Sequence, residues 1–231
     1  MRVVGLIGGM SWESSHQYYR LLNEAVRDRT TPLTNAKSLM YTVNFAEVEA
    51  LQHAERWDEA GEMMADAAQR LERGGADCVV LCTNTMHKLA DAITSSVQIP
   101  LLHIADATAT AVKAVGLERI GLLGTAFTME QDFYKGRLIN NFSLEVITPE
   151  KGERERVHRI IYDELCAGVV RDSSRAEYVQ VMESLVARGA QGVILGCTEI
   201  MLLISAADCS VPTFDTTALH ALAAADFALS I

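Results

Sequence analysis

The chain has 231 residues, 49% of them hydrophobic and 22% charged, which places it among ordinary globular proteins of one or two domains and away from the disordered and membrane classes. Its formal net charge is −10, and Lys and Arg form no dense cluster, so a phosphate backbone is repelled and nucleic acid is excluded as an expected partner. No apolar run reaches the roughly 18 residues of a membrane span, and the opening MRVVGLIGGM lacks a secretory apolar region and cleavage site; no membrane partner and a cytoplasmic location are expected.

In chain order the pattern predicts a strand over Val3–Ile7, a helix over Ser14–Arg27, a strand over Leu39–Val43, a helix over Arg56–Arg73 and a strand over Cys78–Cys82. A helix over Thr85–Ala92, a strand over Leu101–Ile104 and a helix over Ala107–Val115 follow. The next elements are a strand over Ile120–Leu123, a helix over Met129–Ile139, a strand over Leu144–Ile147 and helices over Glu153–Leu165 and Ser173–Arg188. A strand over Val193–Leu195, a short one near Val211–Phe214 and a helix over Thr217–Leu229 complete the series. Short β-branched runs alternating with segments of helical period predict an α/β protein with parallel strands and helical crossovers.

The second half repeats the first. Gly75-Ala76-Asp77-Cys78-Val79-Val80-Leu81-Cys82-Thr83-Asn84 runs parallel to Gly189-Ala190-Gln191-Gly192-Val193-Ile194-Leu195-Gly196-Cys197-Thr198, a shift of 114 (83 to 197). Val4-Gly5-Leu6-Ile7-Gly8 matches Ile120-Gly121-Leu122-Leu123-Gly124, a shift of 116 (5 to 121). Chance likeness of apolar strands is the competing explanation; nearly equal shifts predict a duplication. The expected fold is two pseudo-symmetric lobes, each a small parallel sheet flanked by helices. Ligands of open α/β sheets bind at strand carboxyl ends, so the active site is expected in the cleft between the lobes.

Cys197, in Gly196-Cys197-Thr198-Glu199 directly after a strand, is the principal catalytic candidate. Helix N-terminal N–H groups and neighbouring hydroxyls are expected to hold it as a thiolate on an exposed turn; a buried structural cysteine is the alternative. Its counterpart in the repeat is Thr83, while Cys82, pointing the other way on the strand, is expected in the core. Asn84 and Thr85 read either as plain caps or as donors that cradle a carboxylate. Gly8-Gly9-Met10-Ser11 brings backbone close to a ligand or makes a tight turn. It is not a dinucleotide fingerprint, because Ser11 and Trp12 stand where the third glycine is needed. Thr125 and Thr128 after Gly124 read equally as anion ligands or as a helix cap. His87 and His103 are candidate bases with a structural alternative, and Asp106 is expected to cap the helix from Ala107. Cysteines 78, 82, 166, 197 and 209 form no CxxC pair, and the histidines lack ligand spacing; reduced thiols, no metal and no organic cofactor are expected.

These loops resemble the aspartate/glutamate racemase superfamily, and its aspartate racemase branch in particular. Gly8-Gly9-Met10-Ser11-Trp12-Glu13-Ser14 is similar to its first-strand loop, Thr83-Asn84-Thr85-Met86-His87 to its Cys-Asn-Thr-Ala-His, and Gly196-Cys197-Thr198-Glu199 to its second cysteine loop. The chain looks closest to enterobacterial racemases acting on L-aspartate and L-glutamate or on a broader amino-acid set. The resemblance implies a cofactor-independent two-base mechanism, an amino acid as substrate and a homodimer. It also implies lobes of residues 1–100 with 211–231, and of 101–210. Catalytic residues are then Cys197 and Thr83, with Met10, Gln52, Asn84, Thr85, Thr125, Thr128, Thr198 and Glu199 as substrate contacts. Thr83 departs from the pattern, standing where the family has its first cysteine; a hydroxyl is too weak an acid to become a base at neutral pH. The expectation is asymmetric catalysis, with Cys197 deprotonating the L enantiomer. Two basic residues of aspartate racemases are also replaced, near Cys166 or Ala167 and near Val48. The alternatives are a one-cysteine decarboxylase or cis–trans isomerase on the same scaffold, and a non-catalytic amino-acid-binding protein.

Overall fold

The computed structural model describes residues 1–230; residue 231, the end of the expected first lobe, lies outside the described residues. The chain runs β1 (Val4–Gly8), α1 (Trp12–Asp28), β2 (Ser38–Thr42), α2 (Phe45–His53), α3 (Trp57–Arg73) and β3 (Cys78–Leu81). A 3-10 turn over Thr85–Leu89, α4 (Ala90–Ser96) and β4 (Leu101–Leu102) come next. Then come α5 (Ile104–Ala114), β5 (Arg119–Gly124), α6 (Ala126–Glu130), α7 (Asp132–Phe142), β6 (Glu145–Ile147) and α8 (Lys151–Asp163). The remainder is a 3-10 turn over Leu165–Ala167, α9 (Asp172–Ala187), β7 (Val193–Gly196), 3-10 turns over Ile200–Leu202 and Ala206–Asp208, β8 (Thr213–Asp215) and α10 (Thr216–Leu229).

Among the described residues the strands form two four-stranded parallel sheets of identical topology, β2-β1-β3-β4 and β6-β5-β7-β8. The central strands β1, β3 and β7 are buried at every position, and β5 at all but Arg119, which is why they read as continuous apolar runs. The edge strand β2 alternates toward solvent. In the first sheet Val4, Leu6, Cys78, Val80 and Cys82 pack with α1 and α10. The alternate residues Ile7, Val79 and Leu81 pack with α2, α3 and α4. This is the two-residue period of a strand covered on both faces. In the second sheet Leu123, Val193 and Leu195 pack with Val157, Ile160 and Ile161 of α8 and with Tyr178, Val181, Met182 and Leu185 of α9.

Two compact units result, one of Met1–Ile104 with the segment from His220, the other of Ala105–Leu219. The crossing points expected near residues 100 and 211 therefore fall at 104 and 219, because β8 pairs with β7 and stays in the second unit.

Several elements differ from the sequence reading. α2 is unanticipated; only Val48 and Gln52 are buried on it, too sparse a stripe to read as helical. The expected helix over Thr85–Ala92 is a 3-10 turn feeding α4. The expected strand Leu101–Ile104 stops at Leu102, since Ile104 opens α5. Asp106 consequently lies inside α5 and is no cap; it holds Arg137 in a two-pronged pair at 2.6 and 2.7 Å. Extended backbone at Gln131 (φ −91°, ψ 157°) splits the expected helix Met129–Ile139 into α6 and α7.

Candidate functional site

The strand registers carry the repeat into three dimensions. Ile7 pairs with Leu81 in the first sheet and Leu123 with Leu195 in the second. Thr83 lies two residues beyond Leu81 and Cys197 two beyond Leu195, so the two side chains occupy one position in two copies of the same β-turn unit. In each unit the loops after the first and third strands leave from neighbouring carboxyl ends, where α/β sheets place ligands.

In the first unit, Gly9 turns the chain with φ +96°, and a Cβ there would lie 2.2 Å from the Val43 carbonyl oxygen, so only glycine fits. Ser15 Oγ accepts from the Gly9 N–H at 2.8 Å and donates to the Ser11 carbonyl at 2.7 Å. Met10, Val48 and Met86 share one apolar cluster, and the buried Gln52 amide donates to Met86 Sδ at 3.0 Å. Val48, where a basic residue of aspartate racemases is replaced, is thus core. Cys82 is buried and its thiol is pushed up by that burial; Thr83 is buried as well, at 7% exposure, and its N–H donates to the Leu81 carbonyl at 2.8 Å. Asn84 has αR backbone and makes no side-chain cap, which corrects the capping expectation for it. His87 Nδ1 lies 2.7 Å from the Thr83 carbonyl oxygen and Nε2 accepts from the Ile104 N–H at 3.2 Å.

In the second unit, Thr125 is the N-cap of α6; its hydroxyl accepts from the Thr128 N–H at 3.3 Å and lies 3.2 Å from the Thr128 hydroxyl. This is the capping alternative realised. Glycine ends both paired strands: Gly124 faces Gly196, and a Cβ on Gly196 would stand 2.5 Å from the Leu123 carbonyl oxygen. β5 and β7 thus close tightly beneath Thr125 and Cys197.

Cys197 differs from expectation. It is 8% exposed and belongs to the apolar cluster of α8 and α9, so the turn is not the open one anticipated. No α-helix follows it, only the 3-10 turn Ile200–Leu202. Its Sγ donates to Glu199 Oε2 at 3.0 Å, and the Thr198 hydroxyl donates to the same oxygen at 2.9 Å. Burial pushes the thiol well up, and the charges of Glu199 and Cys166 add to that; the Glu199 backbone N–H opposes it. The resting group is a thiol, and the carboxylate beside it is its acceptor. The expected thiolate fails first because the sulfur is buried, and second because the Glu199 side chain folds back over the turn that was to supply only N–H donors.

Sequence reasoning missed Asp215, which follows Phe214 on β8; its Oδ1 caps α10 through Thr217 and Ala218 N–H at 2.8 and 3.2 Å. The Asp-Thr-Thr run before an apolar helix is the signal that marks it. Among the described residues no group of three or more His, Cys, Asp or Glu side chains is arranged to hold a metal, and no helix is long and apolar enough to cross a membrane.

Two four-stranded parallel sheets of the same strand order, each flanked by helices, define a duplicated α/β fold. The chain belongs to the Asp/Glu/hydantoin racemase family, whose sequence model matches residues 7–224. It is therefore an enzyme of the PLP-independent racemase type. It is similar to a Yersinia pestis protein described as a candidate Asp/Glu racemase, at 53% identity with 100% of both chains covered and a TM-score of 0.93. It is also similar to an aspartate racemase homologue from Pyrococcus horikoshii OT3, at 33% identity over 100% of both chains with a TM-score of 0.86. The broad-specificity amino-acid racemase RacX of Bacillus subtilis is 24% identical over 165 residues, 70% of this chain and 69% of that protein.

Proposed function

We propose that the enzyme racemises an acidic amino acid, L-aspartate or L-glutamate, with Cys197 and Thr83 acting on opposite faces of the α-carbon. The observation that carries this reading is the shared register position of the two residues, one beside the acceptor Glu199 and one bearing a hydroxyl.

Cys197 rests protonated, so its proton passes to Glu199 Oε2, 3.0 Å away, as the thiolate forms. The thiolate takes the α-hydrogen of the L substrate, leaving a planar carbanion. The Thr83 hydroxyl, or a water it holds, delivers a proton to the other face and is reprotonated from solvent, while Glu199 gives its proton back to solvent and Cys197 keeps the α-hydrogen as the thiol of the resting state. Asn84, Thr85 and Thr198 supply donors to the α-carboxylate, while Gln52 meets the far end of the side chain with a neutral amide. Met10 and Thr125 line the substrate, and Thr128 and Glu199 hold the lining in place. Electrostatic stabilisation in a water-poor site does the remaining work. Because a threonine hydroxyl is a poor base, abstraction from the D enantiomer is slow. We further assign the enzyme to the cytoplasm, on an odd cysteine count without a CxxC pair that suits a reducing compartment, and to a homodimer, on the family resemblance; light scattering after gel filtration tests the latter.

The test is incubation with L-glutamate, L-aspartate and a neutral amino acid in deuterium oxide, followed by chiral chromatography and mass analysis. D product carrying α-deuterium from an acidic substrate is expected; absence of both product and exchange refutes the reading. The protonated resting thiol favours a second reading, amino-acid binding without turnover, which calorimetric binding with no exchange would select.

A further inference from the structure

Three imidazoles buried in the first unit, His87, His103 and His220, take no part in this chemistry. The His87 ring lies 4.4 Å from that of His103 and 5.8 Å from that of His220, centroid to centroid. The bonds of His87 decide its protonation. A carbonyl oxygen can only accept, so Nδ1, 2.7 Å from the Thr83 oxygen, carries a hydrogen. A backbone N–H can only donate, so Nε2, 3.2 Å from the Ile104 nitrogen, carries a lone pair. The neutral Nδ1–H tautomer alone satisfies both, and an imidazole so engaged has neither a free proton to give nor a free lone pair to use.

His220 fixes the adjoining segment by the same logic. Its Nε2 donates to the Leu102 carbonyl at 2.8 Å, and its Nδ1 accepts from the Tyr18 hydroxyl at 3.0 Å. Leu102, two residues before Ile104, is thereby anchored, and the Ile104 N–H bond of His87 ties that stretch to the end of β3.

We infer that His87 is a positioning residue, a neutral clamp whose Nδ1–H holds the Thr83 carbonyl against the fixed Ile104 amide and so sets the direction in which the Thr83 hydroxyl points. It acts through Thr83 and touches no substrate. The inference rests on the reading of Thr83 as the opposite-face proton donor. With Thr83 freed from the clamp, its hydroxyl is misplaced relative to the α-carbon, and misplacement by about 1 Å costs on the order of 10²-fold in rate.

Two variants and one spectrum test it. In His87→Asn the amide nitrogen stands where Nδ1 stood and still donates to the Thr83 carbonyl. In His87→Gln the longer side chain returns an acceptor for Ile104 and loses the Thr83 bond. The expected result is α-hydrogen exchange within about threefold of wild type for His87→Asn, and a fall on the order of 10²-fold in kcat with KM within about twofold for His87→Gln. Nitrogen-15 NMR of the wild-type imidazoles at neutral pH is expected to show the His87 proton on Nδ1; this measurement stands even if neither variant folds. Exchange by an active wild type that His87→Gln matches, or a His87 proton on Nε2, overturns the positioning role alone. A wild type inert toward every substrate overturns the racemase reading and the role with it.

Discussion

Replacing Gly196 by alanine tests how the close approach of β5 and β7 sets the position of Cys197. The added Cβ would stand 2.5 Å from the Leu123 carbonyl oxygen and 2.9 Å from Leu122 Cδ1, against an ordinary contact of 3.4 Å or more. Leu123 is paired with Leu195 in the ladder, so the carbonyl cannot swing away as a side chain would, and the strands must part by about 0.9 Å. Overpacking of this kind costs about 1–3 kcal/mol, and an obstacle made of backbone puts the change toward the upper end. Urea unfolding followed by circular dichroism is expected to show that loss, with a drop in Tm of about 2–4 °C per kcal/mol for a chain of this size. Cys197 is the next residue, so its displacement of nearly the same size lowers the α-hydrogen exchange rate on the order of 10²-fold. Gly152→Ala is the control: its Cβ meets nothing within 4 Å, and in α8 alanine is the better helix former. A Gly196→Ala protein with wild-type stability and exchange refutes the packing argument.

Burial is the main cause of the raised Cys197 thiol and Glu199→Gln removes the charge that adds to it, so the thiolate forms at lower pH and alkylation by iodoacetamide at fixed pH accelerates, while turnover falls for want of a proton acceptor; alkylation that is unchanged or slower contradicts this. Thr83→Cys supplies an ionisable group where the hydroxyl stands, and exchange starting from the D enantiomer is expected to rise relative to that from L; an unchanged ratio counts against the assignment of faces. Burial raises the Cys78 thiol from the usual 9.0 to about 12. A raised thiol stays protonated in the folded chain while the unfolded chain ionises, so its stabilising contribution is full below pH 9 and is lost progressively toward about pH 12. Urea midpoints measured at pH 8 and pH 10.5 should fall, and fall less in Cys78→Ala; parallel behaviour of the two proteins rejects the linkage.

The architecture was legible wherever burial on both faces imposed an unbroken apolar run. β1, β3, β5 and β7 stand out for that reason, and the Gly5 and Gly121 strands betrayed the duplication before the sheet orders displayed it. Alternation was equally informative at Cys82, whose burial follows from the pleat. α2 escaped notice because Val48 and Gln52 alone face inward on it. The state of Cys197 escaped for a different reason: a motif gives the order of Gly, Cys, Thr and Glu, but not the rotamer that returns Glu199 Oε2 to the sulfur. Likewise, nothing local announces that residues 87, 103 and 220 meet, since helices and strands separate them in sequence and only the folded unit brings their rings together.

The hydrogen bond from Cys197 to Glu199 also bears on how the enzyme withstands peroxide. Peroxides attack sulfur in its ionised form, and a sulfhydryl kept neutral and almost wholly enclosed offers them little to react with. Sulfinic and sulfonic damage then requires that the proton first leave the sulfur, and on the proposed mechanism a substrate filling the site at that moment is itself the shield.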